Sequence, residues 1–74
     1  MNDELIRAVD ALEERARSYV TLAEVEGAIG RPAARAALEA GVLLVDRRQR
    51  PDATPVLLCR LNRRHPDVVR LASW

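Results

Sequence analysis

The sequence predicts a mostly helical α+β fold with three helices, a two-stranded β-hairpin and a short C-terminal helix. Three observations predict it: a helical apolar stripe near the N-terminus, a capping motif followed by a glycine corner, and two apolar runs that flank an arginine-rich segment. Seventy-four residues are enough for one small core, so we expect a single domain over residues 1–74.

The first helix is expected to begin after Asn2 as N-cap and to run to about Ser18. Acidic residues occupy its first turn and arginines its last turn, which matches the helix dipole. Apolar residues recur at steps of three and four and form one stripe, which consists of Leu5, Val9, Leu12 and Ala16. The stripe indicates a structural helix, or a dimer surface if it is wider than the core requires.

The second helix starts at a capping box in which Thr21 is followed three residues later by Glu24. Its end is expected at Gly30, because glycine readily adopts the left-handed conformation that closes helices. Gly27 is an alternative corner, which would shorten the second helix to two turns. The third helix is predicted over residues 32–40, with a proline at its start and Gly41 after its end.

A β-hairpin is predicted after Gly41. Residues 42–45 form an apolar, β-branched run, residues 46–54 are polar with a Pro-Asp turn signal, and Pro55–Leu61 returns as the second strand. A last short helix is expected to start around His65. Its buried residues are predicted to be Val68, Val69, Leu71 and Ala72.

The net charge of +1 hides an uneven distribution. Residues 1–30 contain seven acidic residues and three arginines, a balance of −4, whereas residues 31–74 contain nine arginines and four acidic residues, a balance of +5. A basic half suggests a surface for a polyanion and an acidic face elsewhere, although solvated arginines would give the same composition. All twelve basic residues are arginine, so each can make forked contacts to phosphate or guanine.

No residue pattern indicates catalysis. Cys59 is the only cysteine, which excludes an intrachain disulfide and a cysteine-based metal set, and we expect it to be buried or at an interface. His65 is expected to cap the last helix or lie at the surface rather than bind metal. No serine has a nearby base and no glycine-rich phosphate loop is present. We therefore expect neither enzyme activity nor a cofactor.

The sequence contains no segment that resembles a secretory leader and no apolar run of the ~20 residues needed to span a bilayer. A cytoplasmic protein with no membrane partner is therefore expected. The composition does not decide whether the chain is a domain of a longer protein.

Three stretches resemble the winged helix-turn-helix regulators of bacteria and archaea, of the ArsR- and MarR-like kind. TLAEVEGAIG resembles their second helix and turn, AALEAGVLLVDRR the end of the recognition helix and the first wing strand, and LCRLNRRHPDVVRL the returning strand and last helix. The resemblance implies a winged helix-turn-helix domain that binds double-stranded DNA in transcription regulation, as a dimer.

The resemblance makes residues 32–40 the recognition helix. Arg31 and Arg35 would then face the major groove, and Arg47, Arg48 and Arg50 would lie at the wing tip near phosphate or the minor groove. The segment from Gly27 or Gly30 to Gly41 is about one turn or more shorter than is usual for the family. A helix this short presents few side chains to the bases, and its ability to distinguish DNA sequences would therefore be limited.

The sequence is compatible with two functions. The first is the DNA-binding protein that the resemblance implies. The second is a winged-helix adaptor that binds other proteins within a larger complex, because a fold does not fix a function. The short third helix and the acidic first helix favour the adaptor, and Trp74 would serve it as an exposed anchor or would instead fold back onto the core.

Overall fold

A computed structural model describes residues 3–16 and 19–72 of the chain. These residues form four helices and a three-stranded antiparallel sheet, which confirms a mixed and mostly helical α+β fold. The elements in chain order are α1 (Asp3–Ala16), β1 (Val20–Thr21), α2 (Leu22–Ile29), α3 (Arg31–Glu39), β2 (Leu43–Gln49), β3 (Pro55–Leu61) and α4 (Pro66–Ala72).

The apolar stripe of α1 is confirmed only in part. Val9 is fully buried, and Leu5 and Leu12 pack against the core, but Ala16 is exposed and Ile6 is buried instead. The prediction for Ala16 was wrong because the core ends before the last turn of α1. The expected cap Asn2 and the expected helix end at Ser18 lie outside the described residues.

The start of α2 is formed as predicted. The Thr21 hydroxyl oxygen accepts the Glu24 backbone N–H at 3.2 Å, and the Glu24 carboxylate accepts the Thr21 N–H at 2.9 Å. Val20, just before the cap, and Val25, one turn into the helix, are both buried. The first N–H groups of a helix have no partner within the helix, and the capping box supplies partners for two N–H groups at this end. These hydrogen bonds fix the direction in which the chain enters α2.

The corner between α2 and α3 is a single glycine. Gly30 has φ 87° and ψ 152°, a conformation that is restricted almost entirely to glycine, and its N–H donates to the Glu26 carbonyl. Gly27 lies inside α2, so the alternative corner is excluded. Helix α3 begins at Arg31, one residue earlier than predicted, with Pro32 in its first turn.

The hairpin is longer and its loop shorter than predicted. The ladder between β2 and β3 runs from Leu43↔Leu61 to Gln49↔Pro55, so the predicted loop of residues 46–54 contracts to residues 50–54. The prediction was wrong because β2 is polar and exposed on both faces beyond Val45, where no apolar alternation marks a strand. β1 pairs with β3 on the other side, which gives the order β1-β3-β2.

All four helices pack on one face of this sheet around a single apolar core. The sheet contributes Val20, Leu43, Cys59 and Leu61, and the remaining core residues come from the helices and from Val42. In α4, Val68 is buried as predicted and Leu71 packs against the core, but Val69 is 49% exposed. Successive side chains of a helix point about 100° apart, and here Val68 faces the core while Val69 is turned towards solvent.

Candidate nucleic-acid interface

Side chains of the hairpin alternate between its two faces. Leu43 points into the core, so Arg47, four residues further along β2, lies on the same side as the helices. Arg48 lies on the opposite side, where its guanidinium carbon is 5.6 Å from the centre of the Tyr19 ring. Strand alternation therefore sends the predicted wing residues Arg47 and Arg48 to opposite faces, although both line a small concavity at the end of the hairpin.

The hairpin and α2 enclose an open groove beside the first half of β3. Arg50 and Leu57 line it from the hairpin, and Leu22 and Glu26 line it from α2. Arg47 is the ladder partner of Leu57 and so leaves β2 on the same face of the sheet as Leu57, but it does not line this groove. Arg47 and Arg50 are both exposed, and neither forms an ion pair with any residue that the structure describes.

A larger groove of about 780 Å³ lies between α2 and α3. Arg31 and Arg35 line it from one turn of α3, and its α2 wall is again Leu22 and Glu26. The two grooves adjoin, because Leu22 and Glu26 line both. We call the two grooves together, with Arg31, Arg35 and Arg50 in their walls and Arg47 beside them on β2, the arginine groove.

The charge of the arginine groove is only weakly compensated. Arg31 is 88% exposed and its Nε lies 4.0 Å from a Glu26 carboxylate oxygen, the limit of an ion pair. Arg35 and Glu39 are four residues apart on α3, but no ion pair between them is formed within the described chain. Four guanidinium groups therefore face the two carboxylates of Glu26 and Glu39, which leaves the surface positive.

The tip of the hairpin is held by local hydrogen bonds. Arg50 donates its N–H to the Thr54 carbonyl and accepts the Ala53 N–H, and Ala53 takes a positive φ of 69°. The Asp52 carboxylate accepts the Thr54 N–H at 3.0 Å, and this hydrogen bond lowers the Asp52 pKa because it favours the charged form. Arg50 is therefore presented from an ordered turn rather than from a free loop.

Two other arginines of the basic half bind the acidic first helix. Arg63 contacts Asp10 at 3.0 Å and Glu13 at 2.8 Å, which raises the Arg63 pKa, and Arg70 contacts Asp3 at 2.7 Å. The expectation of an acidic face separate from the basic surface therefore holds only in part. These pairs join residues about fifty or more positions apart, so no local sequence pattern marks them.

Cys59 and His65 have structural environments. Cys59 is 2% exposed, as predicted, and burial together with the nearby Glu13 carboxylate raises its pKa from 9.0 to about 11. The His65 Nδ1 accepts the Asp67 N–H at 3.2 Å, which confirms a cap at the start of α4. Among the described residues, no three histidine, cysteine or acidic side chains are grouped so as to hold a metal.

Sequence reasoning missed Leu22 and Glu26 as part of the surface and Tyr19 as the partner of Arg48. Tyr19 is the only tyrosine of the chain, and this is the one signal in the sequence that could have drawn attention to it. Trp74, considered above as an anchor, lies outside the described residues. None of the described helices is long and apolar enough to cross a membrane.

Comparisons with known proteins give no relative: no protein-family model, curated protein or solved structure matches this chain.

Proposed function

We propose that this chain is a small winged-helix protein that binds double-stranded DNA through the arginine groove, acts as a dimer and serves transcription regulation. The order of helix, short strand, two helices and hairpin, with sheet order β1-β3-β2, supports the winged-helix assignment. The observation that supports the DNA-binding proposal is that the groove beside the start of α3 and the groove beside the hairpin share one wall, Leu22 and Glu26 of α2.

Phosphate contacts supply most of the proposed affinity. Each arginine that neutralises a phosphate releases condensed counterions, so binding weakens as salt rises. Four such contacts correspond to a slope of about −3.6 in log affinity against log salt, or roughly a hundredfold loss between about 50 and about 200 mM salt. The affinity for duplex DNA is thus expected to depend strongly on ionic strength.

Base readout in this proposal is modest. The exposed face of α3 carries Arg31 and Arg35 with Pro32, Ala36 and Glu39 around them. Arginine can contact guanine in the major groove, but two arginines on one helical turn read few base pairs. The small residues between them allow close approach of α3 to the duplex, which favours phosphate contacts over sequence selection.

Fluorescence anisotropy with a labelled random-sequence duplex tests the proposal. The wild-type chain should bind at about 50 mM salt and lose most of its affinity at about 200 mM, and Arg35→Glu should weaken binding at the lower salt. Arg15→Glu is the matched control, because Arg15 is exposed on α1 and lines neither groove. Absence of binding at low salt, or equal losses in both variants, would refute the proposal.

A protein adaptor is the second candidate, and one observation favours it. Val45 and Leu57 are 37% and 43% exposed on the helix side of the hairpin, and Leu57 lines the groove beside α2. Exposed apolar side chains contribute little to phosphate binding, whereas an exposed apolar patch marks a surface that a protein partner can cover. If Leu57→Ser abolished capture of a partner while the wild-type chain showed no affinity for duplex, the adaptor would replace the DNA-binding proposal.

A further inference from the structure

The face of the sheet opposite the helices has a distinct composition. Register places Leu44, Asp46 and Arg48 of β2 on this face, together with Leu58 and Arg60 of β3. Every buried helix residue belongs to the core on the other side, so no described helix packs here. We call this surface the outer sheet face.

Tyr19 lies at the edge of the outer sheet face and remains 65% exposed, although the Arg48 guanidinium lies over its ring. Tyr19, Arg48 and Arg60 line one shallow concavity of about 250 Å³. Aromatic rings and guanidinium planes are the groups on which unpaired bases stack, and arginines also bind the connecting phosphates.

Charge on the outer sheet face favours an anion. Arg48 and Arg60 are both exposed, and neither forms an ion pair with a residue in the described part of the chain. Asp46 is the acidic group in the same concavity, so the local balance is two positive charges to one negative. The carboxylate reduces the attraction for phosphate but can accept hydrogen bonds from base amino groups.

Size favours a polymeric ligand over a small molecule. A concavity of about 250 Å³ lies below the ~300–1,000 Å³ of sites that enclose drug-sized ligands. It suits one stacked base at a time, presented by a chain that continues along the sheet. A duplex keeps its bases stacked inside and would not offer them to Tyr19.

We propose that the outer sheet face is a second nucleic-acid site that binds single-stranded nucleic acid, with a base stacked on Tyr19 and phosphates held by Arg48 and Arg60. This site is separate from the arginine groove and does not depend on α3. The two surfaces lie on opposite sides of the hairpin, since Arg47 and Arg48 leave β2 in opposite directions.

The test is anisotropy with a labelled oligothymidylate of about 12 nucleotides, a length within the range of single-strand binding sites. Tyr19→Ala should weaken its binding about 5- to 150-fold, the range measured for loss of one stacked base. Tyr19→Phe, which keeps the ring, should bind as the wild type does. Arg60→Glu should weaken binding and Asp46→Asn should strengthen it.

Duplex binding, measured with the same variants, separates the two proposals. Arg35→Glu should leave the oligothymidylate affinity unchanged, and Tyr19→Ala should leave the duplex affinity unchanged. Equal losses for both ligands in Tyr19→Ala, or no binding of oligothymidylate by the wild-type chain, would overturn the second site without touching the first. Circular dichroism of each variant shows whether it is folded before its affinity is compared.

Stacking has a direct spectroscopic signature. Tyr19 is the only tyrosine of the chain and Trp74 the only tryptophan, and the chain has no phenylalanine, so Trp74→Leu leaves Tyr19 as the sole fluorescent side chain. Oligothymidylate should then quench the tyrosine emission with the same midpoint as the anisotropy titration. Binding without any change in tyrosine emission would show that Tyr19 is not the stacking platform and would overturn the proposal.

Discussion

Arg47 and Arg48 are adjacent in the chain, yet they leave the hairpin on opposite faces. Arg47 pairs with Leu57 on the helix side, and Arg48 pairs with Val56 on the outer sheet face and lies over Tyr19. Their separation divides the arginine cluster of the hairpin into two surfaces, one beside α2 and α3 and one on the other side of the sheet.

Charge reversal at these two positions should therefore affect duplex binding unequally. Arg47→Glu should lower the duplex affinity and reduce the magnitude of the salt slope by about one phosphate contact, because Arg47 lies on the same face of the hairpin as Leu57, which lines the arginine groove. Arg48→Glu should change the duplex affinity less, although it removes the same charge from the same strand. Titrations at several salt concentrations give both slopes, and identical slopes would contradict the division of the hairpin into two faces.

The hydrogen bond that Glu13 accepts from the backbone is expected to stabilise the fold more than an exposed salt bridge does. One oxygen of its carboxylate accepts the Leu61 backbone N–H at 2.8 Å and the other contacts Arg63. Glu13→Ala leaves the Leu61 N–H without its partner, which should cost about 1–3 kcal/mol in the free energy of unfolding. Urea denaturation measures this loss.

Two controls separate the hydrogen bond of Glu13 from its charge. Glu13→Gln keeps an oxygen that can accept the Leu61 N–H, so it should lose less stability than Glu13→Ala. Glu14→Ala removes an exposed carboxylate from the next position and should change the unfolding free energy by no more than about 0.5 kcal/mol. If all three variants unfolded alike, the proposed role of the hydrogen bond would be wrong.

Two glycines of the α2–α3 region should respond in opposite directions to alanine. Gly30→Ala should destabilise the protein by about 1–3 kcal/mol, because its φ of 87° and ψ of 152° are strained for any residue with a Cβ. Gly27→Ala should stabilise it by up to about 1 kcal/mol, because Gly27 lies within α2 and no atom lies within 4 Å of the added Cβ. Thermal unfolding compares the two, and a stabilising Gly30→Ala would contradict the observed corner.

The Cys59 thiol should be protected from reagents and should make stability depend on alkaline pH. Its pKa of about 11 in the folded chain lies above the ordinary 9.0, so folding disfavours the thiolate. Below pH 9 the thiol is protonated in both the folded and the unfolded chain, so it does not change the free energy of unfolding. As the pH rises from 9 towards 11, only the unfolded chain loses this proton, and the free energy of unfolding falls. Denaturation at pH 8 and pH 10 should show a larger loss for the wild type than for Cys59→Ala.

Thiol labelling provides an independent check on Cys59. A thiol-specific reagent at neutral pH should modify the folded chain slowly and the urea-unfolded chain rapidly, because Cys59 is 2% exposed. Rapid labelling without denaturant would show that the strand opens more readily than the buried core indicates.

Local chemistry made several features predictable. Thr21 and Glu24 form a capping box from four consecutive residues, and glycine at position 30 permits the corner, so neither needs distant contacts. The prediction of a mostly helical α+β fold follows from such signals. The length of β2 was not predictable, because residues 46–49 are paired by the ladder to β3 and carry no apolar pattern of their own.

The sequence by itself determined the order of the elements, the positions of their ends near Thr21, Gly30 and Gly41, and the presence of many arginines in the second half. These properties depend on backbone preferences and periodicity within a few residues. Only the tertiary structure decided which arginines share a surface, because Arg63 and Arg70 meet acidic residues about fifty or more positions away and strand alternation sends Arg47 and Arg48 to opposite faces.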